Sequence, residues 1–310
     1  MQQIKAGVIT LILASCLTGG AHAKEGGDQY PNGGENWMAG AVPPPGDYFI
    51  NYLGHYSGKL RDGHGNKVDD AKVDAWFNAF RYINVTEHKI LGGNWGWHII
   101  APVVNQRIRL GGGSDTVTGL GDITVNPMIL SWHTKNWHWA TGVDINLPTG
   151  RYSSGESRRS IGANYWSFEP LLAVTYRSDD GWEASAKFMY NLKTTNRNFR
   201  AAPGTERMKY RSGDEFHMDY LIGKNFGQWG VGVSGYYLQQ TSNDKLNGKP
   251  ISSKLGPWSD GRKGRVFAIG PSVTYSTKKG MQFIAQWQHE TKVKNRFGGD
   301  KFWLKFIMPL

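Results

Sequence analysis

The stretch Trp137-His138-Trp139-Ala140-Thr141-Gly142-Val143-Asp144-Ile145-Asn146-Leu147-Pro148-Thr149 decides the fold. Its odd positions carry Trp, Trp, Thr, Val, Ile, Leu and Thr, while its even positions carry His, Ala, Gly, Asp, Asn and Pro. Alternation with a period of two makes this a two-faced β-strand. The apolar face persists for roughly the 9 to 11 residues that a tilted strand needs to cross a hydrocarbon layer. It begins with two tryptophans, which favour the headgroup level. The other face would bury an aspartate and a histidine in a soluble sandwich, whereas a hydrated lumen solvates both.

From Tyr48 onward the chain offers about twelve such segments, at 48-56, 73-85, 95-107, 120-131, 137-148, 165-176, 182-192, 215-226, 229-240, 265-275, 281-290 and 301-310. In 73-85 either Arg81 or the set Trp76, Phe80 and Tyr82 must face inward, and Arg81 is the better choice. After the first segment the joins alternate long (57-72, 108-119, 149-164, 193-214, 241-264) and short (86-94, 132-136, 177-181, 227-228, 276-280), with a moderate last join at 291-300. Outer-membrane barrels sort their connections this way, with short periplasmic turns and longer external loops. The expected fold is therefore all-β, an antiparallel up-and-down transmembrane barrel of about twelve strands, over residues 47-310. The closing segment keeps Phe302, Leu304, Phe306, Met308 and Leu310 in alternation, as expected of a terminal strand read by barrel-assembly machinery, although it ends on Pro309-Leu310 instead of an aromatic.

Composition agrees. The 310 residues include 41 glycines and 13 Trp, 14 Tyr and 13 Phe, yet mean hydropathy is negative, which excludes a helical membrane protein. The N-terminus reads as an export signal over residues 1-23: Lys5, an apolar run from Ala6 to Ser15, then Ala21-His22-Ala23 as the cleavage site. Leu13-Ala14-Ser15-Cys16 also fits a lipobox that would lipidate Cys16, the single cysteine. Residues 24-46 are rich in Gly, Asn and Pro, and Pro43-Pro44-Pro45 cannot enter a ladder. That segment is either a loose periplasmic arm or a lumen plug carrying Trp37 and Met38.

Asn36-Trp37-Met38-Ala39-Gly40 with Pro43-Pro44-Pro45-Gly46, Ile90-Leu91-Gly92-Gly93-Asn94-Trp95-Gly96, Gly119-Leu120-Gly121-Asp122-Ile123, Leu147-Pro148-Thr149-Gly150 and Gly299-Asp300-Lys301-Phe302-Trp303-Leu304-Lys305-Phe306 resemble the phenol meta-pathway degradation family of outer-membrane proteins, also called SphA-like transporters. The likeness covers nearly all of the chain beyond the export signal. It implies a barrel related to FadL-type channels for hydrophobic compounds, with no catalytic motif and no cofactor.

The inward faces offer His98, Gln106, Asp122, His138, Asp144, Asn146, Glu169, Glu183, Lys187, His217, Asp219, Gln282, Gln286 and Lys305. They read either as a pore or substrate lining or as ion pairs that fill a narrow lumen. Basic residues gather in the external loops, namely Arg151, Arg158, Arg159, Arg197, Arg200, Arg207, Lys209, Arg211, Lys245, Lys249, Lys254, Arg262 and Lys263. Lipopolysaccharide phosphates are their natural partners, and acidic solutes could be steered by the same charge. Phe199 and Trp258, also in those loops, are candidate contacts for a hydrophobic solute.

The formal charge of +11 does not point to nucleic acid, since no recognition element accompanies it. An enzymatic reading would need Ser185 to meet His138 or His217. The chain has neither a Gly-x-Ser-x-Gly elbow nor a His-Glu-x-x-His metal motif. The function expected is passive uptake or capture of small hydrophobic or aromatic compounds. A closed surface-binding barrel and a lipid hydrolase are the alternatives.

Overall fold

The computed structural model describes residues 28–251 and 260–310. The export signal, Cys16, Lys254 and Trp258 lie outside the described residues. In chain order the strands are β1 (Gly46–Arg61), β2 (Lys67–Ile90), β3 (Gly93–Leu110), β4 (Gly113–Leu120), β5 (Ile123–His133), β6 (Trp137–Leu147), β7 (Ser167–Arg177), β8 (Trp182–Lys193), β9 (Asn196–Phe199), β10 (Met208–Arg211), β11 (Glu215–Phe226), β12 (Trp229–Gln240), β13 (Lys245–Leu246), β14 (Lys249–Pro250), β15 (Arg265–Ser276), β16 (Gln282–Lys294) and β17 (Arg296–Pro309). Among the described residues the only helical elements are two short 3-10 turns.

Twelve staves close into an antiparallel barrel. β4 and β5 together form one stave, interrupted at Gly121-Asp122, and both pair with β3. Closure is made by β1, which pairs with β2 on one side and with β17 on the other, Tyr52 lying opposite both Ala79 and Lys305. A closed ladder leaves no edge, so every backbone group of the wall can be satisfied inside a hydrocarbon layer. Both chain ends of the barrel, Asp47 and Pro309, sit at the rim that carries the short turns. By the loop-length rule that rim is periplasmic.

The outer wall is apolar and its two rims are aromatic. Trp137, Trp182, Trp229 and Phe226 are about half exposed at the periplasmic rim, with Trp76 and Trp287 at the external one. Between them Phe168, Leu172, Val231, Val233 and Leu304 project outward. Their strand neighbours Glu169, Ala173, Ser234 and Lys305 are buried inside.

Three of the joins expected as loops are instead strand. β1 and β2 continue past the membrane to a turn at residues 62-66, β3 and β4 to Gly111-Gly112, and β16 and β17 to a reversal at Asn295. Most of the charged residues that suggest loops at 57-72 and 108-119 occupy the outward face of these hairpins, where they meet water, while Asp115 turns inward to Arg158. Their inward face carries Leu60, Ala71, Val73, Ile108 and Leu110, packed as one apolar cluster with Tyr56 and Phe297. Gly111 and Gly112 both have positive φ (61° and 77°), the primed turn that matches strand twist. The joins at 149-164, 193-214 and 241-264 do lie largely outside the staves. In the last two, β9, β10, β13 and β14 build a separate four-stranded sheet.

Because Leu172 faces outward near the middle of β7, Leu172→Arg should destabilise the barrel in lipid by about 2–4 kcal/mol. Reversible denaturant unfolding in vesicles measures this, and the reverse substitution outside the membrane, Arg197→Leu at an exposed position, should move stability by under about 0.5 kcal/mol.

Candidate functional site

Residues 28–42 run inside the barrel and are fixed there by backbone donors aimed at inward carboxylates. Asp219 on β11 accepts from Tyr30 Oη at 2.8 Å, Gly33 N at 2.8 Å and Glu35 N at 3.1 Å. Met38 N donates to Glu183 Oε1 at 2.7 Å and Gly40 N to Thr175 Oγ1 at 2.9 Å. In the opposite direction Gln286 and Gln288 donate to Gly33 O, and Lys301 Nζ donates to Asn32 O at 3.0 Å. A segment with no ladder of its own must find such partners if it is buried.

Two side chains of the segment carry most of its fit. The Glu35 carboxylate lies between Arg81 Nη1 and Lys305 Nζ, each at 2.7 Å, and accepts from Tyr52 Oη. Trp37 is 2% exposed and its Nε1 donates to Ser272 Oγ at 2.8 Å. Its ring enters a slot floored by glycine: a Cβ on Gly223 would lie 2.4 Å from the ring.

From Glu35 a chain of charges crosses the lumen. Arg81 Nη2 approaches His98 Nδ1 at 2.8 Å, His98 Nε2 lies 3.2 Å from Asp144, and Lys187 Nζ lies 3.9 Å from the same carboxylate. Beside it, His217 Nε2 and Asn191 Nδ2 reach Glu169 Oε2 at 3.2 and 2.6 Å, and Lys193 pairs with Glu215 at 2.7 Å. Buried charges of this kind persist only when paired and hydrogen-bonded.

Above the segment, in the external half of the lumen, lies a half-enclosed cavity of about 280 Å³. One wall is apolar, made by Val73, Ala75, Phe77 and Ala79 of β2 and Ile100, Val104 and Ile108 of β3. The facing wall is polar and includes Glu169, Glu215, Glu290, Arg296 and Lys301. Residues 28–31 form the floor, and Ser157, Ser160 and Ile161 of the 149-164 connection lean over the top. That cover is tied down where Gln106 Nε2 donates to Ser160 O at 2.8 Å and Arg158 reaches Leu110 O at 2.9 Å and Asp115 at 2.8 Å. Asp122 joins all three parts, accepting from Gly150 N, Ala163 N and Gln29 Nε2 at 2.9 to 3.0 Å.

Of the lining residues expected from sequence, Gln106, Asp122, Asp144, Asn146 and Glu169 face the cavity. His98, Glu183, Lys187, His217 and Asp219 are buried in the networks beneath or beside it. His138 stands apart at the periplasmic rim, 3.0 Å from His133. Ser185 is bonded to Thr175 and Glu183, and neither His138 nor His217 meets it. Sequence reasoning missed Glu35, Tyr30 and Asp28, and the apolar inner wall of β2 and β3. The inward choice for Arg81 carried a signal for the wall, because it turns Val73, Ala75, Phe77, Ala79, Ile83 and Val85 inward as well.

Outside the membrane, Arg197, Arg207, Lys209 and Lys249 are exposed on or beside the loop sheet. Arg211 pairs with Asp214 at 3.1 Å, Lys263 with Asp260 at 2.9 Å and Arg159 with Glu156 at 3.4 Å, and Arg262 ends the second 3-10 turn. The sheet is pinned by Asp244, which accepts from Tyr210 Oη, Gly213 N and Gln240 Nε2. Burial pushes its carboxyl up to about 6 despite those donors.

Geometry and topology define a class: an outer-membrane β-barrel whose lumen is occupied by its own N-terminal segment beneath an externally placed cavity. The sequence matches, over residues 57–306, the family described by the MetA-pathway of phenol degradation, and the chain belongs to that family. The chain is similar in fold to an outer membrane channel from Pseudomonas putida F1, with TM-score 0.72 and 13% identity, covering 91% of this chain and 100% of that one. Two others align less well: the beta domain of the Bordetella autotransporter BrkA (TM-score 0.49, 12% identity, 86% and 99% covered) and the translocator domain of the autotransporter NalP from Neisseria meningitidis (0.49, 7%, 88% and 92%). No curated protein matches the sequence.

Glu35→Ala strands Arg81 and Lys305 in the lumen, and the expected loss is on the order of 3–5 kcal/mol in vesicle unfolding experiments. Glu35→Ala with Arg81→Met and Lys305→Met should recover most of it. For Asp244, the raised folded value means the native state holds its proton more tightly than the unfolded chain. Loop-sheet stability from this group is therefore greatest at low pH and is lost as pH rises from about 4 through about 6. Amide exchange over residues 241–251, corrected for intrinsic rates, should accelerate across that window, and Asp244→Asn should flatten the profile.

Proposed function

We propose that this barrel captures small hydrophobic or aromatic compounds at the cell surface and passes them inward down their gradient, without catalysis. The observation that carries this reading is the cavity with one continuous apolar wall reaching up into the projecting hairpins. An apolar wall opposite a few placed polar groups is the usual make-up of a small-ligand site. An engineered apolar cavity of about 150 Å³ admits benzene, so the volume here suits one or two rings better than a long acyl chain. Membership of a family named for phenol degradation agrees with an aromatic solute.

Residues 28–42 act as the plug in this reading, with Trp37 seated and Met38 spanning to Glu183. A solute moving straight down the lumen would have to displace them. His98, Asp144, Glu183, Lys187, His217 and Asp219 then serve to hold the plug and the wall, and Asp122 and Glu169 touch the solute. The exposed cations on and beside the loop sheet are placed to meet lipopolysaccharide phosphates, which form strong charge-assisted bonds with Arg and Lys. Export by a cleaved signal over residues 1-23 and delivery by barrel-assembly machinery complete the account.

A second reading, a closed barrel that only binds at the surface, is favoured by the density of plug contacts. Uptake separates the two. Liposomes with a lipopolysaccharide outer leaflet and the refolded barrel should accumulate labelled one- and two-ring aromatics faster than barrel-free liposomes. Long-chain fatty acids and a sphingoid base should gain less. Binding of the aromatics without any gain in entry would favour the closed barrel, and lipid hydrolysis by the purified protein would overturn both.

A further inference from the structure

We propose that the cavity selects by charge: it takes neutral or cationic aromatic solutes that donate a hydrogen bond and excludes their carboxylate analogues, with Glu169 as the specificity-determining acceptor. This rests on the capture reading above. Six carboxyl side chains line the cavity, Asp28, Asp122, Asp144, Glu169, Glu215 and Glu290, against the two fixed cations Arg296 and Lys301. Both cations are already engaged. Arg296 Nη2 lies 2.7 Å from Asp28, and Lys301 Nζ donates to Asn32 O while sitting 4.6 Å from the centre of the Tyr236 ring. The first of these pairs neutralises Asp28, and behind the wall Lys193 does the same for Glu215 and Lys187 for Asp144, while Arg81 and Lys305 are taken by Glu35, so among the described lining residues Asp122, Glu169 and Glu290 are left against Lys301. An entering carboxylate would meet an excess of like charge in a partly dehydrated space, where repulsion is only weakly screened.

Glu169 sharpens the selection. It is 1% exposed, and its Oε2 takes both Asn191 and His217. Its Oε1 is buried without a hydrogen-bond partner. A buried acceptor left unmet is costly, so a ligand hydroxyl or ammonium that reaches it gains what a bare ring cannot. A ligand carboxylate brings a second acceptor and leaves Oε1 unmet. The exposed cations of the external loops have the opposite sign, so anions gathered at the mouth would be turned back at the cavity.

The test is binding of four single-ring probes, benzyl alcohol, benzylamine, methyl benzyl ether and benzoate, to the full-length barrel in amphipol at pH 7 by ligand-observed NMR titration. The alcohol and the amine should bind on the order of tenfold tighter than benzoate and roughly fivefold tighter than the ether. Glu169→Gln keeps the shape and can offer an amide donor in place of Oε1. It should reduce the lead of the alcohol and the amine over the ether to within about twofold and raise benzoate affinity, with the ether unchanged. Glu169→Asp, which keeps the charge, should retain the original ranking. Equal binding of benzoate and benzyl alcohol, or a ranking that Glu169→Gln leaves intact, overturns the inference while the capture reading stands. Failure of every probe to bind overturns the capture reading itself.

Discussion

A carboxylate taken out of water must be met by cations and donors where it comes to rest, and Glu35 is the carboxylate on which this lumen turns. It comes from a segment with no secondary structure and bridges Arg81 on β2 to Lys305 on β17, strands that flank β1. Satisfying it fixes the height of the segment in the barrel. Asp219 then receives the adjoining backbone amides from the opposite wall, and Trp37 reaches the glycine slot below. With the segment at that level, the lumen above it is a bounded cavity instead of a channel mouth.

The two walls of that cavity follow from different constraints. β2 and β3 turn mostly apolar side chains inward, and these cannot hydrogen-bond the segment. The wall is left bare except where Arg81, His98 and Gln106 interrupt it. The other staves turn Asp, Glu, Lys, Gln and Asn inward, and these find each other or the segment. A solute with an apolar body and one polar group meets a suitable surface on each side, which is why recognition and closure can share one lumen.

Much of the barrel was legible because a two-sided strand writes its environment into alternate residues, as Trp137 to Leu147 do. What alternation cannot tell is where the membrane stops. In β1, β2, β3 and β4 it continues beyond the bilayer with charges on the outward face, and residues 57-72 and 108-119 therefore read as loops while folding as hairpins. The inward positions of Asp144, Glu169, Glu183, Lys187, His217 and Asp219 were readable for the same reason that the strands were. Their partners were not, since Gly33 and Asp219 are 186 residues apart and no local pattern joins them. Residues 28–42 have no periodicity. Their place inside the barrel depends on Arg81, Ser272 and Lys305, each carried by a different strand.

In the proposed function this segment closes the lumen beneath an externally accessible cavity. Planar-bilayer recording tests it most directly, comparing the intact barrel with a variant lacking residues 28–42 whose folding is established by its resistance to unfolding in detergent. The intact barrel should pass no steady ionic current, and the variant should open a resolved, ohmic conductance. Equal conductance from the two proteins would mean that residues 28–42 do not close the lumen.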